Sequence, residues 1–194
     1  MTTATFSRRH GLQTPALEIT VRDAPHELRG EVVEMAYECG LGPRDMREIV
    51  CRTLRVREDP TNWSPPNIDG EVKEHFDSCD WPKVYDLIEA THRALIGYDQ
   101  RNHQSGASRF ERELNDYFVD RGIGWQLRDG LIEVRGSEAF QGVVAAARAA
   151  LGAPARPTSQ RELEEALRAL SRRPQADLTG ALQHAIAAVE CVAR

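Results

Sequence analysis

Residues 122–135, GIGWQLRDGLIEVR, restrict the fold of this chain more than any other stretch. Asp129-Gly130 is the pair that a two-residue type I′ turn demands, since both central residues take φ > 0 and Gly does so without steric cost. Counting outward from the turn pairs Leu127 with Ile132 and Trp125 with Val134, and places those four side chains and Ile123 on one face. Gln126, Arg128, Glu133 and Arg135 fall on the other face, where Leu131 is the apolar exception. Turn chemistry and alternation agree on one register, a β-hairpin spanning residues 123–135.

Most of the remaining chain has helical periodicity, so the expected class is α+β and mainly helical, with helices packed around this small antiparallel hairpin. Leu17, Ile19 and Val21 alternate with polar residues and offer an optional third N-terminal strand, which would support a hairpin that is marginal alone. Asp23 is placed to cap a helix running from Pro25 to about Cys39, striped by Leu28, Val32, Met35 and Ala36 and stopped by Gly40. After Gly42-Pro43, Met46, Ile49, Val50, Thr53 and Leu54 share one helical side. Arg44, Arg47, Arg52 and Arg55 share the opposite arc, read as a solvated face. EDPTNWSPPNI, 58–68, holds three prolines and is expected to be a loop tacked down by Trp63.

A short helix is expected at 70–79, and another from Asp80 striped by Val84, Leu87, Ile88, Thr91 and Leu95. GYDQRNHQSG, 97–106, reads as a polar loop. Ser108 and Glu111 have capping-box spacing for a helix that buries Phe110, Leu114, Tyr117 and Phe118. Beyond the hairpin, Ser137 is placed to cap a helix with Phe140, Val143, Val144, Ala147 and Leu151 inward. The boundaries expected are a domain at 1–152, a Pro/Ala-rich linker at 153–158, and a second domain beginning at 159. That second part opens with a Ser159/Glu162 capping box and carries Leu163, Ala166, Leu167 and Leu170. It ends in a helix striped by Leu178, Leu182, Ala185, Ile186 and Val189. Two helices cannot cover that last stripe, which predicts either dimerisation through the C-terminal helices or a protein that continues past Arg194.

A net charge of −5 argues against a whole-domain grip on nucleic acid and leaves room for a local basic patch. No apolar run approaches the ~20 residues of a membrane span, and no signal-peptide core opens the chain. Cys39, Cys51, Cys79 and Cys191 lack framework spacing, which suits reduced, buried thiols of a cytoplasmic protein.

The candidate chemistry is sparse. Asp69-Gly-Glu71-Val-Lys73 has the letters of a restriction-type, metal-dependent nuclease, but that chemistry wants them on a strand and they sit at a loop-to-helix junction. His75 and Cys79 share a helix face without a second ligand pair, and are read as a surface His beside a buried Cys. His92 is expected at the core edge, and His184 off the last stripe, facing solvent or an absent partner. No phosphate loop, GxSxG or HExxH occurs, so no catalytic residue, metal ligand or cofactor is assigned. Two knots, Arg8-Arg9-His10 and Arg101-Asn102-His103, are the candidates for contact with an anion or RNA, since guanidinium and imidazole both donate to phosphate.

The opening Phe6-Ser-Arg-Arg-His-Gly, the extended ALEITV and the ELRG…VV helix resemble the N-terminal domain of AbiJ-like abortive-infection proteins of bacteria. ELNDYFVDRGIGWQLRDGLIEVRG looks like that family's helix and hairpin, and the stretch from Arg161 to DLTGALQHAIAAVECVAR is similar to the start of a HEPN-class helical domain. The resemblance implies phage defence by growth arrest, with RNA cleavage as the HEPN activity, assembled across a dimer from an Arg-x4–6-His. That motif is missing here: Arg22 and His26 have three residues between them, and Arg101 and His103 one. The resemblance therefore implies a non-catalytic sensing or regulatory module, with a protein or RNA partner, whose ribonuclease residues lie beyond this chain.

Overall fold

The computed structural model describes residues 22–136, 138–151, 157–172 and 176–193. The described residues form a mainly helical α+β chain of eight helices and one two-stranded antiparallel sheet. The Arg8-Arg9-His10 knot, the Leu17–Val21 segment, the Ser137 cap and most of the 153–158 linker lie outside the described residues. By compactness the chain divides after Gly124, the second unit opening at Trp125.

In the first unit, α1 (His26–Glu38) follows Pro25, which occupies the cap position that Asp23 was expected to hold. Asp23 Oδ1 accepts the Ala24 N–H instead, at 2.8 Å. Leu28, Val32, Val33 and Ala36 are fully enclosed. Gly40 ends the helix at φ 116°, where a Cβ would stand 2.8 Å from Tyr98 Cε1, so both backbone and space require glycine. Helix α2 (Pro43–Leu54) starts with Asp45 accepting the Gly42 N–H at 2.8 Å.

Helix α3 (Pro65–Ser78) begins five residues earlier than expected. Pro65 and Pro66 fill its first turn, where a missing N–H costs nothing because that donor would be an orphan, and Ser64 Oγ accepts the Asn67 N–H at 3.4 Å. These prolines thus mark a helix start rather than a loop. Trp63 does not tack the preceding segment down; it is 77% exposed.

Helix α4 (Trp81–Asn102) runs through residues 97–102 of the stretch expected to be a loop and ends at His103 in the left-handed region, which leaves only 103–105 between helices. One glycine, Gly97, costs about 1 kcal/mol in a helix, too little to break 22 residues anchored by buried Val84, Leu87, Ile88 and Leu95. Asp99 then caps the next helix, α5 (Gly106–Asp120), taking the N–H groups of Gly106 and Ala107 at 2.8 Å each. The expected capping box at Ser108 therefore lies inside the helix. Phe110, Leu114 and Phe118 are buried completely, as their spacing predicts.

The second unit opens on β1 (Trp125–Arg128) and β2 (Leu131–Val134) in the expected register, with Trp125 opposite Val134 and Leu127 opposite Ile132. Asp129 and Gly130 take φ 49° and 81°, the two positive values of the I′ turn. Trp125 and Leu127 are buried and Leu131 is exposed. Helices α6 (Glu138–Leu151), α7 (Pro157–Ser171) and α8 (Leu178–Ala193) complete the unit.

Helix α7 starts at Pro157, so Ser159 is a buried first-turn residue rather than a cap, and residues 157–158 are helix rather than linker. Its Ser171 hydroxyl accepts the Val134 N–H at 3.1 Å, tying helix to sheet. Asp177 caps α8, accepting the Gly180 N–H at 2.8 Å. Val143, expected to face inward from α6, is 68% exposed; Val144 and Leu151 carry that helix's burial.

Candidate functional site at the junction of α2 and α3

The arginine-rich arc of α2 is not uniformly solvated. Arg47 lies against α3 with its side chain only 16% exposed. It donates to the Asn62 carbonyl at 2.9 Å and lies 3.1 Å from Glu58 Oε2 and 3.7 Å from Glu71 Oε2. Glu71, buried on α3, accepts the Asp59 N–H at 2.7 Å and the Asn62 amide at 3.1 Å, so it anchors the segment that precedes the helix. A buried carboxylate is tolerable here because both of its oxygens are matched by donors and a guanidinium stands near.

One turn along each helix from that pair come Cys51 on α2 and His75 on α3. Glu71 and His75 are four apart and therefore share a face. Cys51 Sγ, a Glu71 carboxylate oxygen and a His75 ring nitrogen all lie within 4.8 Å of one another. Burial, and then the Glu71 charge, push the Cys51 thiol up, so it stands protonated beside the carboxylate. Cys51 also lines an open cavity of about 460 Å³ with Arg44, Arg47, Glu48, Arg52, Val56 and Glu58. Periodicity exposes the Glu71/His75 half of this group; the Cys51 half depends on how α2 packs on α3, which no spacing in the sequence encodes.

The residues singled out from sequence are distributed differently. Lys73 and Asp69 turn away from Glu71 on α3, because two residues along a helix reverse the face. Lys73 Nζ meets Glu34 at 2.8 Å and Asp69 at 3.0 Å, and the Tyr37 hydroxyl donates to Asp69 at 2.8 Å. Burial and the Asp69 bond raise the Tyr37 phenol, while the Glu34 bond leads in raising the Lys73 ammonium. Asp69, Glu71 and Lys73 thus do not converge as a nuclease centre requires.

Cys79 turns toward Arg29, with Sγ 3.9 Å from Nη1, rather than completing a site with His75. That buried Arg29, which the sequence reading passed over, closes the C-terminus of α3. It donates to the carbonyls of Phe76 and, at 2.8 Å, Cys79. His92 sits at the core edge, 4% exposed and 3.3 Å from Glu111, as expected. Arg101 and His103 are exposed at the end of α4; Arg101 borders a 340 Å³ groove shared with Asp45, Glu48, Arg52 and Tyr98. His184 has a partner after all, its Nδ1 lying 2.7 Å from Glu162 Oε2, and the bond to His184 leads in lowering the Glu162 carboxyl.

In the second unit, Leu178, Leu182, Ile186 and Val189 line one side of α8 and are at least half exposed, while Ala181 and Ala188 are buried on another side. The thiols are all free, with Cys39 buried and Cys191 exposed, against the expectation that every cysteine is enclosed. No helix among the described residues is long and apolar enough to cross a membrane.

A helical α+β module with a register-defined hairpin, a polar junction and one uncovered apolar helix face is the class defined by these features. The chain belongs to the family described as AbiJ N-terminal domain 4, whose model matches residues 4–149, and so carries the N-terminal domain of an AbiJ-like abortive-infection protein. No curated protein and no solved structure matches it.

Proposed function

We propose that this chain is a sensing or regulatory module of a bacterial phage-defence protein, acting by docking rather than by cutting. RNA cleavage of the HEPN kind would be supplied by residues other than its own, since its sequence has no Arg-x4–6-His. The observation that carries the reading is the α8 stripe, Leu178, Leu182, Ile186 and Val189 at 68%, 63%, 50% and 69% exposure. Apolar residues spaced four, four and three apart form a helical seam of the kind that packs against another helix.

A second copy of the chain suits that seam. From Leu178 to Ala193 the helix carries one acid, Glu190, and no Lys or Arg, so two copies can meet without like-charge repulsion. The homodimer forms through the C-terminal helices in this reading. Sedimentation equilibrium of the chain should give a dimer and L182E/I186E a monomer with unchanged helicity. A monomeric parent chain, or a dimer indifferent to both glutamates, would sink the proposal.

A further inference from the structure

We propose that Cys51, Glu71 and His75 form a zinc site that clasps α2 to α3. The set goes beyond the docking role above and uses none of its residues. Thiolate, imidazole and carboxylate together are the donor set of zinc, which binds all three at about 2.0–2.3 Å. Ligand atoms around a tetrahedral zinc stand roughly 3.5 Å apart. The three atoms here are within 4.8 Å of one another, so small rotations of side chains on two helices already in place would close the shell.

Two further features favour a site over chance proximity. Neither the Cys51 thiol nor the His75 ring makes a hydrogen bond among the described residues, so no partner has to be given up. Glu71 is already oriented by the Asp59 N–H and the Asn62 amide, the outer hydrogen bonding that ligating carboxylates need. Each carboxylate oxygen can accept more than one contact, so Glu71 keeps these donors and still has a lone pair for the metal. Arg47, 3.7 Å from Oε2, approaches the same oxygen that accepts the Asn62 amide.

Binding exchanges the Cys51 proton for the metal and draws the segment that Glu71 anchors, together with both helices, into one unit. Three protein ligands leave a fourth position for water. His75 cannot serve Cys79 at the same time, because Cys79 turns to Arg29. The site therefore draws its thiol from α2, not from the next turn of α3.

Cobalt reports this geometry directly. Titrating the full chain with Co²⁺ should produce thiolate-to-cobalt charge-transfer absorption that saturates at one equivalent and is displaced by Zn²⁺. Cys51→Ser should abolish the band, His75→Asn should abolish it or weaken binding at least tenfold, and Cys79→Ser should leave it intact. Circular dichroism of each variant confirms the fold, and His75, half exposed on α3, is the safer substitution. No band in the parent chain, or a band that survives Cys51→Ser, overturns the site.

Discussion

Helices α1–α5 enclose most of their large apolar residues, Ile96 at 40% being an exception: Leu28, Val32, Met46, Phe76, Leu95, Phe110 and Phe118 have no measurable exposure. The unit that begins at Trp125 does otherwise. Its sheet hides Trp125 and Leu127, yet α6 and α8 turn Val143, Leu178, Leu182 and Val189 more than 60% outward. What orders the second unit is partly polar. Arg148 on α6 reaches Glu133 on β2 at 3.2 Å and Glu164 on α7 at 2.7 Å, with its side chain 11% exposed. Close to equal helical patterning thus yields an enclosed core in one unit and exposed apolar helix faces in the other.

The largest expected effect separates the two directly. Phe110→Ala should cost about 3–5 kcal/mol, since it leaves a cavity at a fully buried position. Val189→Ala, removing apolar volume from an exposed position, should cost below about 0.5 kcal/mol to the monomer. Urea denaturation of both variants measures the gap. Equal costs would mean that the α8 stripe is packed and the contrast between the units is false.

The buried arginines sharpen the comparison next. Arg29 in the first unit donates to backbone carbonyls and to the Cys79 sulfur, whereas Arg148 bonds to carboxylates. Arg148→Met should cost about 3 kcal/mol, the lower end for breaking a buried pair, because Glu164 keeps 29% of its side-chain exposure. The two should also differ in their acid response. The Arg148 bond leads in holding the Glu164 carboxyl below its usual range, so its stabilising contribution is complete above the unfolded value near about 4.3 and is lost as pH falls through the lowered folded value. Wild-type stability should therefore decline below about pH 5 more steeply than that of Arg148→Met. The acid limb of Arg29→Met should keep the wild-type slope. A parallel acid limb for Arg148→Met would show that the triad is not what orders the second unit.

Legibility from sequence followed the range of the physics. The hairpin register was legible because it rests on a turn that Asp129-Gly130 alone specifies and on period-two alternation beside it. The aromatic face of α5 was legible for the same local reason. Pro65, Gly97 and Ser108 misled because each has two meanings that only the neighbouring structure separates: a breaker or a first-turn residue, a stop or a tolerated interior glycine, a cap or a helix surface. The candidate site was half legible. Glu71 and His75 share a face by spacing, but Cys51 joins them only across two packed helices, as Arg148 joins Glu133 and Glu164. Arg8, Arg9 and His10 fall outside the described residues, and Arg101 and His103 share the end of α4 without forming a pocket of their own.

The smallest effect tests whether the units respond separately. Gly70 on α3 and Gly142 on α6 are exposed helical glycines, and a Cβ at either would meet nothing within 4 Å. Alanine at each should stabilise its helix by about 0.5–1 kcal/mol, because glycine loses more backbone freedom on folding. Amide exchange resolved along the chain should show Gly70→Ala slowing α1–α5 and Gly142→Ala slowing α6–α8. Protection that rises everywhere with either substitution would mean the two units open as one cooperative body. The contrast between an enclosed core and exposed apolar helix faces would then describe surfaces, and not two separately stabilised parts of the molecule.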